Sequence, residues 1–159
     1  MNNNSVEELF EKYYNDALLY SLSLTKNAVL SEELVSDAFF KALKTADGEV
    51  EHFKAWLLKV CRNLYLNYLR KHKRLTELSE TIADENDSAL DKIIREENYR
   101  ALYRAISLLK PTQKEVITLF YYERLSIKEI ASVTDKSESV VKVTLYRAKE
   151  KLKEILTQN

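Results

Sequence analysis

Apolar positions recur every three to four residues along most of this chain, the spacing of amphipathic helices. Leu9, Phe10, Tyr13, Ala17 and Leu24 mark a first helix, and Ser5 with Glu8 forms a capping-box pattern ahead of it. Ser31 is expected to open a second helix, with Glu32 and Glu33 at its positive end and Val35, Ala38, Phe39 and Ala42 as its buried stripe. Thr45 to Glu49 reads as a loop. A long third helix follows over 51–73, with Phe53, Trp56, Leu57, Val60, Cys61, Leu64 and Tyr68 on its apolar face. The periodicity lapses over 75–89, where Asp84, Glu85, Asn86, Asp87 and Ser88 have the composition of a linker. Helix returns over 89–109 and stops before Pro111, because a residue preceding proline is pushed out of the helical region. Thr112 with Glu115 predicts a capped helix running to Glu123. Ser126 with Glu129 predicts a short one to Val133, and after a turn at Thr134-Asp135-Lys136, Ser137 caps a last helix to Leu156.

No stretch alternates with period two. The 159 residues include one Gly (Gly48) and one Pro (Pro111), so the commonest helix breakers are nearly absent. The expected fold is all-α: two small helical modules, 1–74 and 90–159, joined by a flexible acidic linker over 75–89. One cysteine, Cys61, rules out an internal disulfide and suits a reducing cytoplasm. No basic-then-apolar leader is visible and no apolar run is long enough to span a bilayer, so a cytoplasmic chain without membrane insertion is expected.

The formal net charge is zero, but its distribution is uneven. Residues 1–50 hold 4 basic and 9 acidic groups, residues 51–74 hold 7 and 1, and residues 75–98 hold 2 and 8. Screening confines such fields to about 10 Å at moderate salt, so each block acts locally. The basic third helix, interleaved with Trp56, Tyr65 and Tyr68, suits a surface that tracks phosphates and stacks on unpaired bases. A solvated helix with its aromatics in the core is the plainer alternative. From Leu125 to Lys153, a short capped helix, a three-residue turn and a longer helix have the spacing of a helix-turn-helix. Val141, Leu145, Ala148, Leu152 and Ile155 would face inward. Ser139, Lys142, Val143, Tyr146 and Arg147 would face outward, where a recognition helix meets the major groove. Phe40, among Asp37, Lys41 and Lys44, marks a candidate protein contact.

Catalytic signatures are missing. There is no glycine-rich phosphate loop, and His52 and His72 lack Cys or carboxylate partners at ligand spacing. No enzymatic activity, cofactor or metal is expected.

Three segments, in this order, resemble the bacterial sigma-70 family, specifically its small extracytoplasmic-function (ECF) type: Ser31 to Leu43, Phe53 to Arg70, and Leu125 to Ala131 with Val141 to Ala148. The resemblance implies a promoter-specific initiation factor that binds core RNA polymerase through its β′ clamp and β flap and helps melt promoter DNA. Glu33, Leu34, Ser36, Asp37, Phe40 and Lys41 would contact polymerase. The loop 45–52 and the third helix would hold the −10 element as single strand, through Phe53, Trp56, Lys59, Arg62, Asn63, Asn67, Arg70, Lys71 and Arg74, with Phe53 and Asn63 bordering a flipped base. Ser137, Ser139, Lys142, Val143, Tyr146, Arg147 and Lys149 would read the −35 element as duplex. An anti-sigma partner is implied as well. The sequence departs from the family pattern at Ser36, Asn67 and Thr144, and in a turn made of Asp135, Lys136 and Ser137 rather than Gly and Pro. The competing expectations are a helix-turn-helix regulator that binds duplex DNA without polymerase, and a helical interaction module with no DNA role.

Overall fold

A computed structural model describes residues 3–45, 52–76 and 100–158, and everywhere among them the regular structure is helical. The chain divides into two compact units, Met1–Asp87 and Ser88–Asn159. Of the expected loop Thr45 to Glu49, Thr45 is helical instead and the rest lies outside the described residues, as do most of the linker, the start of the 89–109 helix and the acidic side chains of Asp84, Glu85 and Asp87.

The first unit packs three helices against one another: α1 (Asn3–Thr25), α2 (Ala28–Thr45) and α3 (Phe53–Thr76). Each contributes one apolar stripe. Ala17, Tyr20 and Leu22 of α1, Val35, Ala38, Phe39 and Ala42 of α2, and Leu57, Leu58 and Cys61 of α3 are buried together. The helix begins at Asn3, two residues before the expected cap Ser5. α3 runs on to Thr76, two residues into the segment expected as linker.

The α1–α2 turn corrects a second cap. Asn27, not Ser31, precedes the first turn of α2, and its Oδ1 accepts from the Leu30 amide at 3.0 Å. Ser31 lies one turn inside, buried, sharing a 2.6 Å hydrogen bond with the Thr25 hydroxyl. Thr25 Oγ1 also accepts from the Asn27 amide at 2.9 Å. Ser31 was a plausible cap by residue type; the chain reversal at Lys26, which takes a left-handed φ of 54°, starts the helix earlier.

The second unit holds α4 (Arg100–Ser107), α5 (Pro111–Ile117), a π-helical turn (Thr118–Tyr122), α6 (Ile127–Thr134) and α7 (Glu138–Thr157). α7 is the hub, packing on α4, α5 and α6. Pro111 does not merely follow a helix; it begins one. It occupies the first turn of α5, where its missing N–H costs nothing, and Lys110 before it is extended. Thr112 is therefore inside the helix, and the expected Thr112–Glu115 capping box does not open it. The helix predicted to run to Glu123 widens at Thr118: the Glu123 amide reaches back five residues to the Thr118 carbonyl at 3.1 Å. Thr118 Oγ1 donates to the Lys114 carbonyl at 2.8 Å.

The α6–α7 pair forms as its local signals require. Ser126 Oγ accepts from the Glu129 amide at 3.1 Å, and Glu129 Oε1 accepts from the Ser126 amide at 2.9 Å. Asp135 ends α6 in the left-handed region at φ 59°, ψ 45°. Ser137 then caps α7, accepting from the Val140 amide at 3.2 Å. Ile130, Val133, Val141, Leu145, Ala148 and Leu152 close the core between them.

Two stability outcomes are expected. Leu57→Ala, which empties a fully buried site, should cost about 2–5 kcal/mol. Ser126→Ala should cost about 1 kcal/mol by opening the capping box. Urea unfolding checks both: the midpoint should fall with the slope unchanged.

Candidate nucleic-acid and polymerase interfaces

In the first unit an aromatic chain links the three helices. Phe10 meets Phe39 with ring centroids 4.6 Å apart. Phe53 sits at the junction, 5.9 Å from Tyr13, 6.2 Å from Phe39 and 5.6 Å from Trp56. Phe53 is buried, 5% exposed, whereas Trp56 is 37% exposed. Phe53 packs in the core, as its place on the apolar face of α3 leads one to expect, while Trp56, expected on that same face, reaches the surface. Both belong to one aromatic cluster.

From Trp56 a row of polar side chains descends α3. At about 100° per residue, Trp56, Lys59, Asn63, Asn67 and Arg70 fall on one stripe opposite Cys61 and Leu58. Asn63, Asn67, Arg70 and Lys71 are exposed, and Lys59 and Arg62 are half-buried on the flanks. Arg70 Nη2 donates to Asn67 Oδ1 at 2.6 Å, which fixes the guanidinium along the row. Arg74 continues the helix, and its side chain lies outside the described residues. On the opposite side, in line with Leu58 and Cys61, burial first and the neighbouring Tyr68 second push the Tyr65 phenol above its ordinary range. The Tyr68 ring stacks on His72 at 4.1 Å.

α2 presents Glu33, Ser36, Asp37, Phe40 and Lys41 to solvent. Phe40 is 57% exposed, with Lys44 Nζ 4.8 Å from its ring centre. Ser36, Phe40 and Leu43 edge a groove shared with Glu7, Phe10 and Glu11 of α1. Leu34 is the exception: it is buried.

In the second unit the capped turn fixes the outward face of α7. Ser139, Lys142, Val143, Tyr146 and Arg147 are exposed, as the sequence predicts, and so are Ser137 and Lys149. Lys149 stands apart from the row. Its ammonium lies 5.0 Å from the Phe120 ring centre and 5.8 Å from that of Tyr121, at the edge of the π-helical turn. Val140, absent from the expected set, is as exposed as Val143 and one turn before it. Its spacing from Val143 was the signal available in the sequence. Ile155, expected inside, is half-buried. Among the described residues no three His, Cys, Asp or Glu side chains gather closely enough to hold a metal, and no helix is long and apolar enough to cross a membrane.

Comparison with known proteins decides the family. The ECF RNA polymerase sigma factor SigM of Bacillus subtilis is 29% identical over 152 residues, 94% of this chain and 93% of that protein. The RNA polymerase sigma-E factor of Streptomyces avermitilis is 30% identical over 154 residues, 92% of this chain and 84% of that protein. The family models for Sigma-70 region 2 and Sigma-70, region 4 match residues 9–75 and 99–152. The chain belongs to the sigma-70 family, in its ECF group. As such a sigma factor it is a promoter-specific initiation factor acting with RNA polymerase. The region 2 match covers the helices that a lone helix-turn-helix regulator leaves unexplained. Two solved structures share the sigma factor's fold. The sigma factor RpoE, solved with the anti-sigma factor NepR from Bartonella quintana, has a TM-score of 0.70 at 20% identity over 95% of this chain and 96% of that one. CnrH, solved with the cytosolic domain of CnrY, has a TM-score of 0.67 at 21% identity over 99% of this chain and 91% of that one.

The unequal depths of the two aromatics can be measured. Phe53→Ala should lower the stability of this sigma factor by about 3–5 kcal/mol, and Trp56→Ala, at the more exposed ring, should cost less. Equal losses in urea unfolding would contradict the packing described.

Proposed function

We propose that the two units divide promoter recognition between them. α3 holds the −10 element as single strand, with Trp56 as a stacking platform, Asn63 and Asn67 as base-edge partners and Lys59, Arg62, Arg70, Lys71 and Arg74 on phosphates. α7 reads the −35 element as duplex, Ser139, Lys142, Val143, Tyr146 and Arg147 entering the major groove. One observation carries this reading: each unit presents a single helix face on which cations flank an exposed aromatic, Trp56 on α3 and Tyr146 on α7. Cations give phosphate affinity by releasing counterions, and an aromatic face takes an unpaired base.

Polymerase docks on α2. Phe40 beside Asp37 and Lys41 offers an apolar anchor with a charged rim, the usual make-up of a contact that carries binding energy. The factor works in the cytoplasm without a catalytic centre of its own. An anti-sigma partner covers the Phe40 face and holds the factor off polymerase; that two chains of the same fold were solved with partners, one of them named as an anti-sigma factor, supports this.

Transcription by bacterial core polymerase on a library of promoter fragments, with and without this chain, tests the reading. Initiation at a shared two-part motif is the expected result; unchanged start sites with duplex binding intact would overturn it. Phe40→Ala should weaken association with core about tenfold or more while leaving the fold intact. On −10 single strand, Trp56→Ala should cost about 1–3 kcal/mol with the salt dependence unchanged. Arg70→Ala should instead reduce the salt slope by about 0.7. Titrations at several salt concentrations separate the two.

A further inference from the structure

The outward face of α7 changes chemistry along its length. At about 100° per residue, Ser139, Val143, Tyr146, Arg147, Glu150 and Glu154 point away from Val141, Leu145, Ala148 and Leu152, with Val143 at the middle of the row. Glu150 and Glu154 close the row with negative charge, which phosphates repel. The part of the helix open to a duplex therefore runs from Ser137 to Arg147, about 15 Å of helix. Lys142 and Arg147 supply the positive charge within it.

That stretch also carries apolar surface with no core to cover it. Val140 and Val143 are each 47% exposed and Tyr146 is 65% exposed. Valine has neither a donor nor an acceptor. Set against most base edges in the major groove, it would strip water from a polar group and give nothing back. One group on the groove floor is apolar, the 5-methyl of thymine. The flanking cations select a duplex over an apolar protein surface as the occupant of this face, and the missing hydrogen-bonding groups select thymine within it.

We propose that Val143 is a specificity-determining residue that reads the 5-methyl group of one thymine in the upstream duplex element. The inference rests on α7 being the duplex-reading helix. It deepens that reading by naming the group that is read. Val140 and Tyr146 lie three residues to either side, about 4.5 Å along the axis, against a base-pair step of about 3.4 Å. They border the same thymine or its neighbours.

The test uses the full chain bound to core polymerase on a promoter drawn from the transcription library. Each thymine of the upstream element, on either strand, is replaced in turn by deoxyuridine, which removes one methyl and keeps every hydrogen-bonding group. At one position binding should weaken about fourfold, the factor that burial of one methyl-sized group is worth. Val143→Ala, exposed and remote from the core, should bind the thymine promoter more weakly and lose the distinction between thymine and deoxyuridine at that position. A thermal midpoint confirms that the variant is folded. Several results overturn the proposal: no sensitive thymine, sensitivity that persists in Val143→Ala, or an upstream element without thymine on either strand. If Lys142→Ala and Arg147→Ala still weaken duplex binding in that case, α7 remains the reader and only the methyl contact falls. If they too have no effect, the assignment of α7 falls with it.

Discussion

A helix has one circumference, and the recognition proposed for α3 and α7 requires each of them to divide it between folding and a nucleic acid. α3 gives one side to Leu57, Leu58 and Cys61 and the opposite side to Trp56, Asn63, Asn67 and Arg70. α7 gives Val141, Leu145, Ala148 and Leu152 to the core and Ser139, Val143, Tyr146 and Arg147 to solvent. The core stripe fixes the rotation of each helix about its axis. That rotation then decides which side chains a nucleic acid can meet. Burial is the larger energy, so packing sets the recognition face, and small polar changes on that face leave the fold alone.

The two units secure this rotation differently. The first relies on an aromatic seam, with Phe53 joining rings from α1 and α2 beneath an exposed Trp56. Its polar fastening is the Thr25–Asn27–Ser31 cluster at the α1–α2 turn, where hydroxyls and one carboxamide take up amides that the helix ends leave unpaired. The second relies on local geometry. Ser126 starts α6, and Asp135 and Ser137 end it and start α7 within three residues, so local geometry sets how α7 leaves α6. Among the described residues the turns are made without glycine: Lys26, His52, Arg124 and Asp135 all adopt positive φ. Each costs of order 1–2 kcal/mol of backbone strain that surrounding contacts must offset.

What the sequence discloses follows the same division. The α6–α7 pair is legible because its capping box, turn and N-cap are local signals, and the α7 face follows from them by simple periodicity. The caps at Ser31 and Thr112 mislead for a common reason: the residue type is right, but where a helix starts depends on the turn before it. Lys26 reverses the chain ahead of Ser31, and Pro111 claims the first turn ahead of Thr112. The resemblance that points to polymerase and promoter identifies the surfaces but not which side chains reach them. Phe53 and Leu34 lie inside as helical spacing indicates, Phe53 on the apolar stripe of α3 and Leu34 one turn before Ala38 of α2.

The π-helical turn at Thr118–Tyr122 bears on a different kind of change in the chain. It holds one residue more per turn than the helix before it, so Ile117 and Leu119 both stay buried while Phe120 and Tyr121 come round to Lys149. Substitutions there alter contacts one at a time. Loss of a single residue would turn the loop closed by the Glu123 amide and the Thr118 carbonyl into an ordinary helical turn with the same ends. The wide turn is thus the place where this helix can give up one residue and keep Leu125 and the entry to α6 where they are, whereas the same loss from an ordinary turn would rotate all that follows by about 100°.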